Sequence, residues 1–279
     1  MPPKILLSHL CSTFVRNCIN CVLFFMDMSI NHPSFATSSL TQLDNKSRLH
    51  EKVDIFSRKP RFLCLHGFRT SGEILKKQIL GKWPSSITEK LDLVFVDGPF
   101  LAQGKSDVEG FFDPPYYEWY QATKDFTEYR NFEECLAYIE DCMVKYGPFD
   151  GFLGFSQGAI LSAALPGLQA KGMALAKVDK IKVLIIIGGA KSRNPSIAEN
   201  AYSPKIQCPS VHFLGERDFL KNSGIELLES FINPVVIHHP KGHTIPSFDE
   251  ENLVIMHEFI ERIQKQVTGE EEQTFPENA

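Results

Sequence analysis

Between residues 60 and 267, six short apolar, β-branched or aromatic runs alternate with segments of helical length. The runs occupy 61–65, 91–96, 150–155, 182–187, 210–214 and 235–238, and the helical candidates 71–83, 131–146, 157–171, 220–231 and 250–266. In the last of these, Leu253, Met256, Phe259, Ile260 and Ile263 recur at helical spacing, which makes one apolar face for a core. Runs this uniformly apolar are buried on both sides. Alternation of such strands with helices therefore predicts an α/β domain, a mostly parallel sheet of about six strands with helices on both faces. In sheets of that kind the reacting groups lie beyond the carboxyl ends of the strands. The residues just past each run thus carry the functional information.

After the third run comes Gly154-Phe155-Ser156-Gln157-Gly158, and a helix of small and aliphatic residues begins at once. Gly-x-Ser-x-Gly between a strand and a helix is a nucleophile elbow. The serine sits at the apex of a sharp turn, and glycines two places either side let strand and helix approach. The helix N-terminus beneath it offers free N–H groups for a developing oxyanion. On its own the pentapeptide is equally compatible with a surface turn, so the other strand ends decide.

The first run leads into His66-Gly67-Phe68. A His-Gly turn here can aim the main-chain N–H of Phe68 at Ser156, pairing with that of Gln157 as a two-donor oxyanion hole. His66 itself is expected to be a packed, hydrogen-bonded residue. The fifth run leads into Gly215-Glu216-Arg217-Asp218, where Asp218 can orient an imidazole or simply cap the next helix; Glu216 is the second candidate. The sixth run ends in His238-His239, and His243 follows Gly242 in a loop that can fold over the sheet edge. His243 is the expected general base, with His239 as the alternative. Ser156, Asp218 and His243 then stand in the chain order of α/β-hydrolases.

The connection after the second run, 98–130, is too long for a plain strand-to-helix turn and is rich in aromatic residues and proline. It reads either as an aromatic wall for an apolar substrate group, with Trp119 and Tyr120 as the pocket residues, or as rings that pack the loop onto the body. Two glycine-rich stretches fail as phosphate sites. Gly67–Gly72 is followed by Glu73-Ile74 where Lys-Ser/Thr is required, and Lys191-Ser192 lacks the preceding glycine. No Gly-x-Gly-x-x-Gly follows a strand, so no dinucleotide site is expected.

A net charge of −5 with no basic, aromatic-interleaved cluster gives no reason to expect nucleic-acid binding. Seven thinly spread cysteines suit free thiols in a reducing compartment. The cytoplasm is therefore the expected location, with the nucleus as a further one. Residues 1–59 read as a poorly ordered extension; its apolar run, 18–26, is too short to span a bilayer, which needs about 20 residues, so stable membrane insertion is not expected. Its Ser/Thr-rich part, 29–48, leaves an organellar transit peptide as the lesser alternative, and Met26 or Met28 could be the working start. His9, Cys11, Cys18 and Cys21 lack the turn chemistry of a zinc site, and no metal is expected. Residues 268–279 read as an acidic tail.

With His66-Gly67, Gly154–Gly158, Gly215-x-x-Asp218 and Gly242-His243-x-x-Pro246 all in place, the chain resembles the family of serine hydrolases abbreviated FSH. The long aromatic loop and the overall length look most like its plant members. The likeness covers about 59–266, and Lys241 stands where many relatives have glycine. The resemblance implies an α/β-hydrolase domain without a large cap. It also implies hydrolysis of a small-molecule ester or thioester with an apolar part, through Ser156, Asp218 and His243 and without a cofactor. The contrasting possibility is a protein that keeps the hydrolase shell and binds a small ligand with little turnover. Oligomeric state is not legible in the residues.

Overall fold

A computed structural model describes residues 58–268. The expected N-terminal extension and acidic tail lie outside the described residues apart from Arg58, Lys59 and Thr268, and His9, Cys11, Cys18 and Cys21 lie outside with them.

All six apolar runs form strands of one parallel sheet: β1 (Arg61–Leu65), β2 (Asp92–Val96), β7 (Gly151–Phe155), β8 (Val183–Ile187), β9 (Ser210–Gly215) and β10 (Val235–His239). The order across the sheet is β10-β9-β8-β7-β1-β2. Successive residues of a strand point to opposite faces, so each strand feeds two cores. Leu63, Leu65, Phe152, Leu184 and Ile186 join one apolar cluster. Their neighbours Phe62, Cys64, Leu153, Val183, Ile185 and Ile187 join the other.

The first cluster is closed by α3 (Phe132–Tyr146), α4 (Gln157–Ala170), α5 (Pro195–Tyr202) and α6 (Lys221–Leu228), through Ile139, Leu161, Ala201 and Leu227. The second is closed by α1 (Gly72–Lys82) and α7 (Glu250–Thr268), through Leu75, Ile79, Met256, Phe259, Ile260 and Ile263. Truncating such a side chain to alanine removes about 2–5 kcal/mol. A short α2 (Ser85–Thr88) leads into β2. The long connection after β2 folds into two small antiparallel pairs, β3 (Phe100–Leu101) with β4 (Tyr117–Glu118) and β5 (Gln121–Ala122) with β6 (Tyr129–Arg130).

The topology is that of the α/β-hydrolase fold. From β1 the chain winds to β2 on one side and then returns to build β7 through β10 on the other. The carboxyl ends of β1 and β7 flank that reversal, where open α/β sheets bind ligands. Among the described residues no helix is long and apolar enough to cross a membrane.

Candidate active site

Ser156 occupies the single residue between β7 and α4, at φ 54° and ψ −117°. A non-glycine residue there costs about 1–3 kcal/mol and persists only where its surroundings hold it. They do: the Ser156 N–H donates to the Ile187 carbonyl at 3.1 Å, and the Gly158 N–H donates to the His66 carbonyl at 3.2 Å. The flanking glycines are steric requirements. A Cβ at Gly158 would collide with the Leu65 carbonyl oxygen, and one at Gly154 with the Gly158 carbonyl oxygen. The result is a partly buried hydroxyl at the carboxyl edge of the sheet.

Asp218 and His243 meet across the loops that follow β9 and β10. His243 Nδ1 lies 2.8 Å from Asp218 Oδ2, and the two side chains are 13% and 3% exposed. The other Asp218 oxygen accepts the Leu220 N–H at 2.7 Å. A carboxylate only accepts, so in the neutral imidazole the proton is on Nδ1 and the lone pair on Nε2. That Nε2 is buried and has no hydrogen-bond partner among the described residues, the Ser156 hydroxyl included. The imidazole stacks on Phe155, centroids 5.0 Å apart at 28°. It also overhangs Gly188, whose Cβ, were it present, would lie 2.9 Å from His243 Cε1. Because Phe155 pairs with Ile187, Gly188 lies beside Ser156, and the ring is thus brought to the elbow.

The alternative acid and base make other contacts. Glu216 binds Lys221 at 2.6 Å and His238 at 3.4 Å on an exposed face. His239 is buried at the end of β10, and burial pushes its imidazole below the usual histidine value.

The loop after β1 packs directly on the elbow: a Cβ at Gly67 would sit 3.4 Å from that of Ser156. Neither the Phe68 nor the Gln157 main-chain N–H has an acceptor among the described residues. Gln157 opens α4, so its N–H is one of the groups a helix leaves unpaired and adds the positive end of the dipole. His66 is packed as its sequence context suggests. Its Nε2 accepts the Gly98 N–H at 2.8 Å and its Nδ1–H donates to the Gly67 carbonyl at 2.7 Å. Burial lowers its pKa to about 4, which keeps the ring neutral.

The aromatic loop differs from the pocket wall expected of Trp119 and Tyr120. Both are buried, at 0% and 3% exposure, and present no open surface to the site. The Trp119 indole N–H donates to the His66 carbonyl at 2.8 Å. The Gln157 side-chain amide accepts the Trp119 N–H at 3.2 Å and donates to the Tyr120 carbonyl at 2.8 Å. Tyr120 packs in a closed nest with Tyr129 and Phe132. These rings satisfy their own burial by fastening the loop to the elbow. Exposed apolar surface next to His243 comes from Phe219, whose ring is 4.6 Å from the imidazole, and Phe68, in the loop after β1, is also exposed. Both come immediately after motif positions, Asp218 and Gly67, and that adjacency was the available sequence signal.

No group of three or more metal-ligating side chains occurs among the described residues. The Asp218–His243 pair leaves Nε2 without a hydrogen-bond partner, near a serine at positive φ and two main-chain N–H groups without acceptors among the described residues. Comparison with known proteins agrees with a hydrolase. Residues 56–254 match the family model described as serine hydrolase (FSH1). An esterase of Aedes aegypti is 30% identical over 226 residues, covering 76% of this chain and 80% of its own. An esterase of Drosophila melanogaster is 30% identical over 251 residues, covering 85% and 84%. An esterase of Gibberella fujikuroi is 34% identical over 197 residues, covering 68% and 81%. With a family model spanning the sheet from β1 into α7 and relatives matched over most of their length, this chain belongs to the FSH1 family of serine hydrolases.

Proposed function

We propose that the chain hydrolyses carboxylic esters or thioesters through an acyl-enzyme on Ser156. His243 Nε2 takes the hydroxyl proton as Oγ bonds to the carbonyl carbon, and Asp218 holds the imidazolium that forms. The N–H groups of Phe68 and Gln157 receive the oxyanion. The imidazolium then protonates the departing alkoxide or thiolate. Water, deprotonated by the same Nε2, attacks the acyl carbon, and the carboxylic acid leaves as Ser156 regains its proton. An apolar substrate group rests against Phe68 and Phe219, the exposed rings beside this chemistry. Neither step calls for a cofactor.

The reading is carried by the 2.8 Å contact between Asp218 and His243 Nδ1, which leaves a bare Nε2 beside the elbow. Hydrogen bonds to the nucleophile commonly tighten only when substrate binds, so an unpaired Nε2 fits a resting site. The relatives named as esterases support the oxyester branch. The test is a matched panel of p-nitrophenyl esters and thioesters, from acetyl to octanoyl, with wild type and Ser156→Ala. Turnover that vanishes in the variant is expected; turnover that survives it requires another nucleophile.

A further inference from the structure

The Phe68 N–H, the oxyanion donor proposed above, stands on a turn whose own bonds, from Thr70 Oγ1 at 2.9 Å and His66 Nδ1 at 2.7 Å, both end on the Gly67 carbonyl, before Phe68. The next residue, Arg69, has φ 53°, a left-handed conformation that is uncommon for a residue with a side chain. Beyond Phe68, at Arg69 and Thr70, further ties come from the aromatic loop, a different part of the chain. Arg69 Nε donates to Glu118 Oε1 at 2.7 Å, in a pair whose side chains are 27% and 1% exposed. Arg69 Nη1 donates to the Lys105 carbonyl at 3.2 Å, and Ser106 Oγ donates to the Arg69 carbonyl at 2.6 Å. The Thr70 carbonyl accepts the Tyr117 N–H at 2.6 Å. The loop is shaped to receive this guanidinium, since a Cβ at Gly104 would lie 2.7 Å from Nη1. The guanidinium also covers the Phe68 ring, 4.7 Å from its centroid. On the other side, Glu118 Oε2 accepts the Gln121 side-chain N–H at 3.1 Å.

We propose that Glu118, acting through Arg69, is the positioning residue that fixes the Phe68 N–H where the oxyanion forms. This rests on the Ser156 mechanism proposed above. A buried ion pair is weak evidence for stability, because desolvation cancels much of its attraction. Its geometric effect is different. A bidentate-capable guanidinium held by a buried carboxylate fixes the half of the turn beyond Phe68, which the bonds to the Gly67 carbonyl do not reach. Oxyanion donors act only when aimed at the transition-state oxygen, and a misplacement of about 1 Å costs about 100-fold. The ground-state carbonyl gains little from the same donor, so loss of the pair should appear in kcat and leave KM nearly unchanged.

The experiment compares wild type, Glu118→Gln, Arg69→Met, the double variant and Ser156→Ala in hydrolysis of one p-nitrophenyl ester. It also measures inhibition by a trifluoromethyl ketone, which forms a serine hemiketal whose oxyanion needs the same donors. Glu118→Gln is expected to lower kcat roughly 10- to 100-fold with KM within about 2-fold, and to weaken inhibition in proportion to kcat/KM. Arg69→Met should do the same and the double variant no worse, since both act on one turn. If Glu118→Gln does not fold, the double variant, which leaves no unpaired buried charge, carries the test by the same readouts. A folded variant that loses only thermal stability, with kcat and inhibitor affinity retained, overturns the proposal, as do additive losses in the double variant. Activity that survives Ser156→Ala is a separate outcome: it removes the underlying mechanism and this assignment with it.

Discussion

The two walls of the site are built in opposite ways. On the side of the proposed base, Asp218 and His243 hang from the ends of β9 and β10, a few residues beyond each strand, and their own hydrogen bond joins them. On the side of the proposed oxyanion donors, the turn after β1 is tied to a remote loop through the Trp119, Gln157, Arg69 and Glu118 contacts. The sheet itself places the first wall. The second is placed by loop residues that are buried with little regular structure around them. Substitutions on the base side should therefore act on proton transfer, and those on the oxyanion side on the alignment of a donor.

The largest separation of the walls is expected from Asp218→Asn. An amide in that place no longer fixes the Nδ1–H tautomer, so kcat should fall by about 10³–10⁴-fold with little change in KM. Steady-state kinetics on a single ester is sufficient. A loss of only a few-fold would show that Asp218 merely caps the turn through its 2.7 Å bond from Leu220.

A smaller effect belongs to the exposed rings. Phe219→Ala should raise KM for octanoyl esters by roughly 10-fold, in keeping with about 1.5 kcal/mol of lost apolar contact, and leave acetyl esters almost untouched. Equal effects on both chain lengths would place the ring's role in packing His243 instead. Trp119→Phe tests the other wall by the same comparison. It removes the N–H bonded to the His66 carbonyl, worth about 1 kcal/mol, and should change both chain lengths alike because the ring is not open to the substrate.

A further effect is on stability rather than rate. Burial lowers His66 to about 4 and His212 to about 3, while in the unfolded chain each titrates near the ordinary 6.5. The unfolded state thus binds more protons as pH falls from about 7 toward 4. Their contribution is complete above the unfolded value and is lost as the folded values are approached. Urea midpoints should decline between pH 7 and pH 5, and His212→Leu should flatten that decline. A midpoint rising with acidity would contradict the neutral burial of both rings.

Much of the fold is legible because sheet strands and covering helices repeat their pattern. Leu253 through Ile263 face the core at helical spacing, and Val183–Ile187 is apolar throughout because both its faces are covered. α5 escapes that reading. It is short, and its only signals are Asn194, whose side chain accepts the Ile197 N–H, and Pro195 in the first turn.

Within the site, Ser156, Asp218 and His243 stand out because strand ends give them fixed offsets. Glu118 does not, since an acid among loop aromatics reads as a solvated side chain until its partner Arg69 is seen 2.7 Å away. Trp119 and Tyr120 mislead for the same reason. A long aromatic loop has rings to bury as well as rings to offer, and spacing alone does not separate them. Phe219 and Phe68 are exposed, as are Phe111 and Phe126 within the loop itself.

The most direct measurement is active-site labelling with a fluorophosphonate, with mass mapping of the adduct. One adduct is expected, on Ser156, forming quickly in wild type, slowly in His243→Ala and never in Ser156→Ala. An adduct on another residue, or labelling unaffected by loss of the His243 imidazole, would contradict a serine nucleophile activated by that ring.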